Sequence, residues 1–209
     1  AVYAHPAARL MPLVPALLLG GRAVAAARRG DRPAARRALR ALATVAAAAL
    51  VVAGPLLAYT LTHRDVVLGH SLSVSVLAPD ARDGGLGRRL ALNAWRTLRA
   101  FVWDGSDSWY HNVAGRPVFD GVTAAMAVVG VLAIARACRG PSGPRRAAVR
   151  SAAAFGLVWL AALALPAVLT GGAPNFSRSV GLMPMAFVVP AVGYAAAAGW
   201  AAAWLGGAL

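Results

Sequence analysis

The residues best equipped for chemistry crowd into two short stretches, "WDGSDSWYHNVAGRPVFD" (103–120) and "GGAPNFSRS" (171–179). In the first, Asp104, Asp107 and Asp120 are carboxylates able to orient a sugar hydroxyl or serve as a base. Asp104 and Asp107 also suit the turn that "DGSD" would make. His111 and Asn112 stand beside Trp109 and Tyr110, a grouping that fits either a sugar platform of flat rings and amide donors or a network holding the loop on a membrane. Arg116, in the turn Gly115-Arg116-Pro117, can clamp a phosphate or a carboxylate with its planar fork. In the second stretch Asn175 offers an amide, and Arg178 stands where a helix begins at a membrane surface. A guanidinium there can pair two N–H groups with the oxygens of one phosphate, or anchor to bulk lipid phosphate. His63 and His70 match no compact metal spacing, and Cys138 is alone, so no metal site and no internal disulfide follow.

The elements that position these residues are set by composition. The 209-residue chain is 59% hydrophobic with only 13% charged residues, and its mean hydropathy is +0.63. A bilayer-crossing helix needs ~20 mostly apolar residues, and the chain offers about five such runs: roughly Ala8–Ala27, Ala41–Leu61, Gly121–Ala135, Ser151–Thr170 and Val180–Trp204. The expected fold is therefore an all-α polytopic membrane protein with about five transmembrane helices. Residues 1–62 hold two of them, 63–120 form a small ordered outer loop, and 121–209 hold three.

A net charge of +14 raises the question of nucleic acid, but the placement of the charge answers it. All 21 basic residues are Arg and all seven acids are Asp. Residues 28–40 carry six Arg against one Asp, and 136–150 carry five Arg and no acid, whereas 63–120 nearly balance seven Arg with six Asp. Arginine gathered just outside apolar runs is the positive-inside pattern. One topology puts both Arg-rich loops in the cytoplasm, with the first residues outside, the loop 63–120 and the turn 171–179 outside, and the last residues inside. Nucleic acid is not an expected partner; membrane lipids are.

The outer loop has internal pattern. "HSLSVSV" (70–76) alternates Ser with Leu or Val, the period of a strand, and "APDARDGGLG" (78–87) reads as turns. "RRLALNAWRTLRAFVW" (88–103) is amphipathic at helical spacing, with Ala91, Trp95, Leu98 and Val102 on one face and Arg88, Arg89, Arg96 and Arg99 on the others. Such a helix lies flat in the headgroup region. The spans carry almost nothing polar apart from Arg22, so the midplane polar groups of a transporter are missing. Polar residues gather instead at the outer interface, where an enzyme would meet the head of a lipid-linked substrate.

"WYHNVAGRPVFD", then an apolar span, a basic loop, a span ending "LPAVLTGGAPNFSR" and then "SVGLMP", resembles the C-terminal half of bacterial GT-C membrane glycosyltransferases, relatives of protein O-mannosyltransferases and lipid A aminoarabinose transferases. Tyr110 and Asn175 stand where the family blocks carry Arg and His. The resemblance implies transfer of a sugar from a polyprenyl-phosphate carrier to an acceptor at the outer face of the cytoplasmic membrane, by direct displacement at the anomeric carbon. It assigns the catalytic acid to an earlier outer loop, expected upstream of Ala1. The chain opens on Ala without a signal peptide, as an internal or C-terminal piece would. Arg178 first, and Arg116 second, would stabilise the leaving phosphate, while Asn175, His111, Asn112 and Asp120 would bind substrate or close its cavity. No cofactor is implied, and nothing in the spacing supports a divalent metal. The rival expectation is a non-catalytic multi-span module, a transporter subunit or assembly scaffold.

Overall fold

The computed structural model describes residues 10–65, 75–76, 85–107, 113–140 and 142–206. These form seven α-helices: α1 (Leu13–Arg28), α2 (Arg32–Thr62), α3 (Leu86–Val102), α4 (Gly121–Arg139), α5 (Pro144–Val168), the single turn α6 (Phe176–Ser179) and α7 (Met183–Gly206). Three residues of 3-10 helix (Val180–Leu182) join α6 to α7, so that Phe176–Gly206 is one helical stretch. The protein is all-helical and membrane-embedded. Four stretches are long and apolar enough to cross a bilayer: α2, α4, α5 and Phe176–Gly206.

The first expected span is the exception. Helix α1 has 16 residues and covers about 24 Å, short of the ~30 Å hydrocarbon thickness. It ends where Gly30 adopts a positive φ of 74°, a conformation open to glycine. The N–H groups of Gly30 and Asp31 return to the carbonyls of Ala27 and Ala26, both at 3.0 Å. Asp31 then caps α2, its Oδ1 accepting the Ala34 N–H at 3.0 Å, with Pro33 in the first turn. Helix α2 therefore starts at Arg32, nine residues before its apolar run, because Arg is a good helix former and nothing stops the helix before the cap. The arginines read as a loop are largely helical. The other spans likewise run from cap to cap and overrun their apolar cores: Asp120 caps α4, and Pro144 opens α5.

Packing separates the helices into a pair and a cluster. Helices α1 and α2 form an antiparallel hairpin, and α4 and α7 make the most extensive contact in the molecule. Gly130 and Gly193 explain the latter. A Cβ on Gly193 would lie 1.8 Å from the Met126 carbonyl oxygen, and one on Gly130 would lie 2.0 Å from that of Val189. Backbone meets backbone at this crossing, as small residues permit in membrane helices. Val14 of α1, Ala162 and Leu163 of α5 and Leu182 form the buried core, with Phe101 of α3 and Trp159 packed against it.

Helix α3 presents an inverted amphipathicity. Asn93, Thr97 and Ala100, spaced i, i+4 and i+7, are buried against the protein. Trp95 is 59% and Leu98 65% exposed, and Ala91 and Val102 face outward with them. Of the expected strand 70–76, only Ser75 and Val76 are among the described residues. Ser75 makes an isolated antiparallel bridge to Thr170, and the buried Val76 donates its N–H to the Leu169 carbonyl at 2.9 Å. No strand forms among the described residues, because this segment's partner is the turn after α5 rather than another extended chain.

Candidate functional site

Both chemistry-bearing stretches lie at the end of the bundle where α5 finishes, here termed the loop end. Helix α5 leaves carbonyls without helical partners at its C-terminus. Asn93 of α3 satisfies two of the carbonyls there, donating from Nδ2 to Val168 at 3.0 Å and to Thr170 at 2.7 Å. The Thr170 hydroxyl donates to the Ala167 carbonyl at 2.9 Å. Asn93 thus fastens α3 to the start of the 171–179 turn, in which the Ala173–Pro174 peptide is cis.

The stretch after α3 folds back on the helix that precedes it. The N–H groups of Val118 and Phe119 donate to the carbonyls of Ala100 and Phe101 at 3.1 and 2.8 Å. Phe119 is buried, 5.6 Å from the Phe101 ring and edge-on to Phe187 of α7 at 5.2 Å. Gly105 and Gly115 exchange contacts across the loop, Gly105 N–H to the Gly115 carbonyl at 3.0 Å and Gly115 N–H to Ser106 at 3.1 Å. A Cβ on Gly105 would meet the Arg116 carbonyl oxygen at 1.9 Å and the Phe176 ring at 3.3 Å. "DGSD", "GRP" and "PNF" are therefore in direct contact, joined through a glycine that has no room for a side chain.

The proposed site residues take the following places. Asp104 is held by Arg99, whose Nε donates to Oδ1 at 2.6 Å while Nη2 pairs with Oδ2, a two-pronged ion pair. Asp107 is exposed. Asp120 caps α4, its Oδ1 accepting the Thr123 N–H at 2.7 Å. The Thr123 backbone and side-chain hydrogen bonds, helped by the Val122 N–H and the positive charge of Arg116, hold its carboxyl below the usual carboxylate range and outweigh a small opposing effect of desolvation. Asn175 caps α6: its Oδ1 accepts from the Arg178 N–H at 3.2 Å and the Ser177 hydroxyl at 2.7 Å, and its carbonyl accepts from the Ser179 hydroxyl at 2.9 Å. The Arg178 and Ser179 N–H groups also return to that carbonyl. These backbone donors are engaged, so the guanidinium is the part of Arg178 left open to a further partner. It is half-buried, with no hydrogen bond or ion pair to another described residue. Arg116 is exposed. His111 and Asn112 lie outside the described residues.

Asn93, Gly105 and Phe119 organise this end and are not among the residues singled out for chemistry from the sequence. The available signal for Asn93 was its place in the helix, directly opposite the Trp95–Leu98 face. Thr97, one turn on, is buried with its hydroxyl unpartnered among the described residues. His63 is exposed, stacked on Tyr59 at 4.3 Å, and its Nδ1 lies 2.9 Å from the Thr62 hydroxyl. Among the described residues no group of three or more His, Cys, Asp or Glu is placed to hold a metal ion. An apolar groove between α1 and α2, lined by Pro12, Ala16, Leu42, Val45, Ala49 and Ala53 among others, offers no group for chemistry. Comparison with known protein families, curated proteins and solved structures finds no match to this chain.

Proposed function

We propose that the chain is the C-terminal membrane portion of a glycosyltransferase that moves a sugar from a polyprenyl-phosphate carrier to an acceptor at the outer face of the cytoplasmic membrane. The observation that carries this reading is the junction at Gly105, where the two stretches on which the resemblance rests lie against each other although some 70 residues separate them in sequence. Around it the polar groups sort into two kinds. Asp104, Asp120 and Asn175 are committed to an ion pair and two helix caps. Arg178 presents a half-buried cation without a protein anion. A displaced polyprenyl phosphate gathers negative charge as the bond to the anomeric carbon breaks, and a positioned guanidinium stabilises that charge more in the transition state than in the ground state. The carboxylate that activates the acceptor hydroxyl comes, in this proposal, from another part of the enzyme.

The test uses the full-length protein in membranes. Lysine at position 178 keeps the charge and loses the planar fork, so Arg178→Lys should turn over polyprenyl-phosphate sugar slowly. Charge-assisted contacts are worth ~1.5–3 kcal/mol, so Arg178→Ala should lose at least about tenfold in rate while inserting and accumulating normally. Unchanged turnover by a well-inserted Arg178→Ala protein would reduce this residue to a lipid anchor and remove the main support for the reaction.

A further inference from the structure

Taken at about 100° per residue, helix α3 has four distinct sides. Asn93, Thr97 and Ala100 face the protein. Ala91, Trp95, Leu98 and Val102 point the opposite way and are exposed. Leu90, Ala94 and Phe101 form one edge between these faces, and Arg88, Arg96 and Arg99 form the other. The Phe101 edge fixes the depth. Phe101 packs on the core of Val14, Leu163 and Leu182, and Leu163 lies five residues, or about 8 Å, below the end of α5. That end of α3 is therefore beside the bundle, not on top of it, and its outward face looks sideways.

The four arginines of the helix also divide. Arg89 donates from Nη1 to the Val76 carbonyl at 2.8 Å, and Arg99 is paired with Asp104. Arg88 and Arg96 are exposed and have no hydrogen bond or ion pair to another described residue. They stand about 12 Å apart along the edge opposite Phe101. A buried Asn with an exposed Trp and Leu is unfavourable against water but favourable against acyl chains. A helix with no acidic residue and two open guanidinium groups complements an anionic surface.

We propose that α3 lies at the lipid headgroup boundary with Trp95 and Leu98 among the upper acyl chains, and that Arg88 and Arg96 bind the phosphates of anionic phospholipids while Arg89 and Arg99 hold the loop together. The inference is independent of the transfer reaction and is tested without it. The complete protein, with Cys138→Ser and Leu98→Cys, is labelled with a bimane fluorophore and reconstituted in vesicles of phosphatidylglycerol and phosphatidylcholine. Quenching is compared between doxyl-labelled phosphatidylglycerol and doxyl-labelled phosphatidylcholine at equal mole fraction. Only lipids near residue 98 quench, so arginines at the far end of the bundle do not contribute. The expected result is preferential quenching by the anionic lipid, with selectivity falling about fivefold for each arginine removed. Arg88→Gln with Arg96→Gln should equalise the two lipids, and lysine at both positions should retain the preference. Equal quenching in the unaltered protein, or a preference that survives the double Gln change, eliminates the recognition of anionic lipid by Arg88 and Arg96. Absence of quenching by either lipid places this face away from the bilayer. Each of these results overturns the proposal.

Discussion

Replacing Gly193 by Ala is the sharpest perturbation that the structure offers, because the added atom is small and its destination is known. The new Cβ would stand 1.8 Å from the Met126 carbonyl oxygen and 2.8 Å from its carbon. To reach the 3.4 Å of an ordinary contact from 1.8 Å, α4 and α7 must separate by about 1.6 Å. Both groups are backbone, so no rotamer change relieves the clash. A gap of 0.5–1 Å already forfeits a quarter to a half of a dispersion contact, and this retreat would run along the most extensive helix pair in the protein. We expect a loss of roughly 3 kcal/mol, the upper end for overpacking. Gly199, six residues along the same helix, has nothing within 4 Å of its Cβ position. Gly199→Ala should instead gain about 0.5–1 kcal/mol from helix propensity. Unfolding in mixed micelles by increasing SDS, followed by circular dichroism, gives both numbers. Gly130→Ala should resemble Gly193→Ala, and the double change should cost less than the sum, since either one opens the same crossing. If Gly193→Ala unfolds at the same midpoint as Gly199→Ala, the helices do not cross at these glycines and the packing is wrong.

Asn93→Leu should cost about 1–3 kcal/mol by leaving the Val168 and Thr170 carbonyls without their donor, and should appear as faster proteolysis in the 169–175 turn with the transmembrane helices intact. Asp120 has a depressed pKa because it accepts the Thr123 N–H in the folded state. Its cap is fully present above the ordinary carboxylate pKa of about 4 and is lost as pH falls through the lower folded value. Thermal unfolding of Asp120→Asn should therefore lack that part of the acid dependence. The Arg asymmetry predicts that 28–40 and 136–150 share the cytoplasmic side while 63–120 face outward. A single cysteine at Ser142, in a Cys138→Ser background, should resist an impermeant thiol reagent in intact cells and react once the membrane is opened; strong labelling in intact cells would reverse the topology.

The spans were legible because an apolar run of membrane length is written directly in the residues, as at 41–61 and 151–170. Helix ends were less so. The Arg-rich segment after α1 resembles a loop by charge, yet Asp31 and Pro33 make it the first turns of α2. Run length also overstated α1, whose apolarity extends over residues that precede its first helical turn at Leu13. In the loop 63–120 the period-two pattern of 70–76 predicted a strand, but the described residues there show only the isolated bridge of Ser75 to Thr170, whose pairing depends on tertiary geometry. At the candidate site, residue type alone could not separate a ligand-binding Asp or Asn from a helix cap. Asp120 and Asn175 have spacing suited to both, and only the N–H groups at Thr123 and Arg178 distinguish them. Gly105 carried no chemistry to read, and its importance lies in the Arg116 carbonyl that fills its missing side chain.

The closed connection between α1 and α2 has a consequence for how the protein keeps its orientation. Gly30 and the Asp31 cap leave only three residues between the two helices, and the hairpin tip bears Arg28, Arg29, Arg32, Arg36, Arg37 and Arg40, all exposed. Five of these arginines lie on helix and Arg29 lies in the closed turn, so the charges of the tip move together rather than one at a time. Moving the tip through the hydrocarbon would take all six together, at ~2.5–3.5 kcal/mol each on an insertion scale, or on the order of 15 kcal/mol. With α2 as the spanning member of the hairpin, that charge opposes inversion of the pair, while tilting and breathing of α1 and α2 remain available.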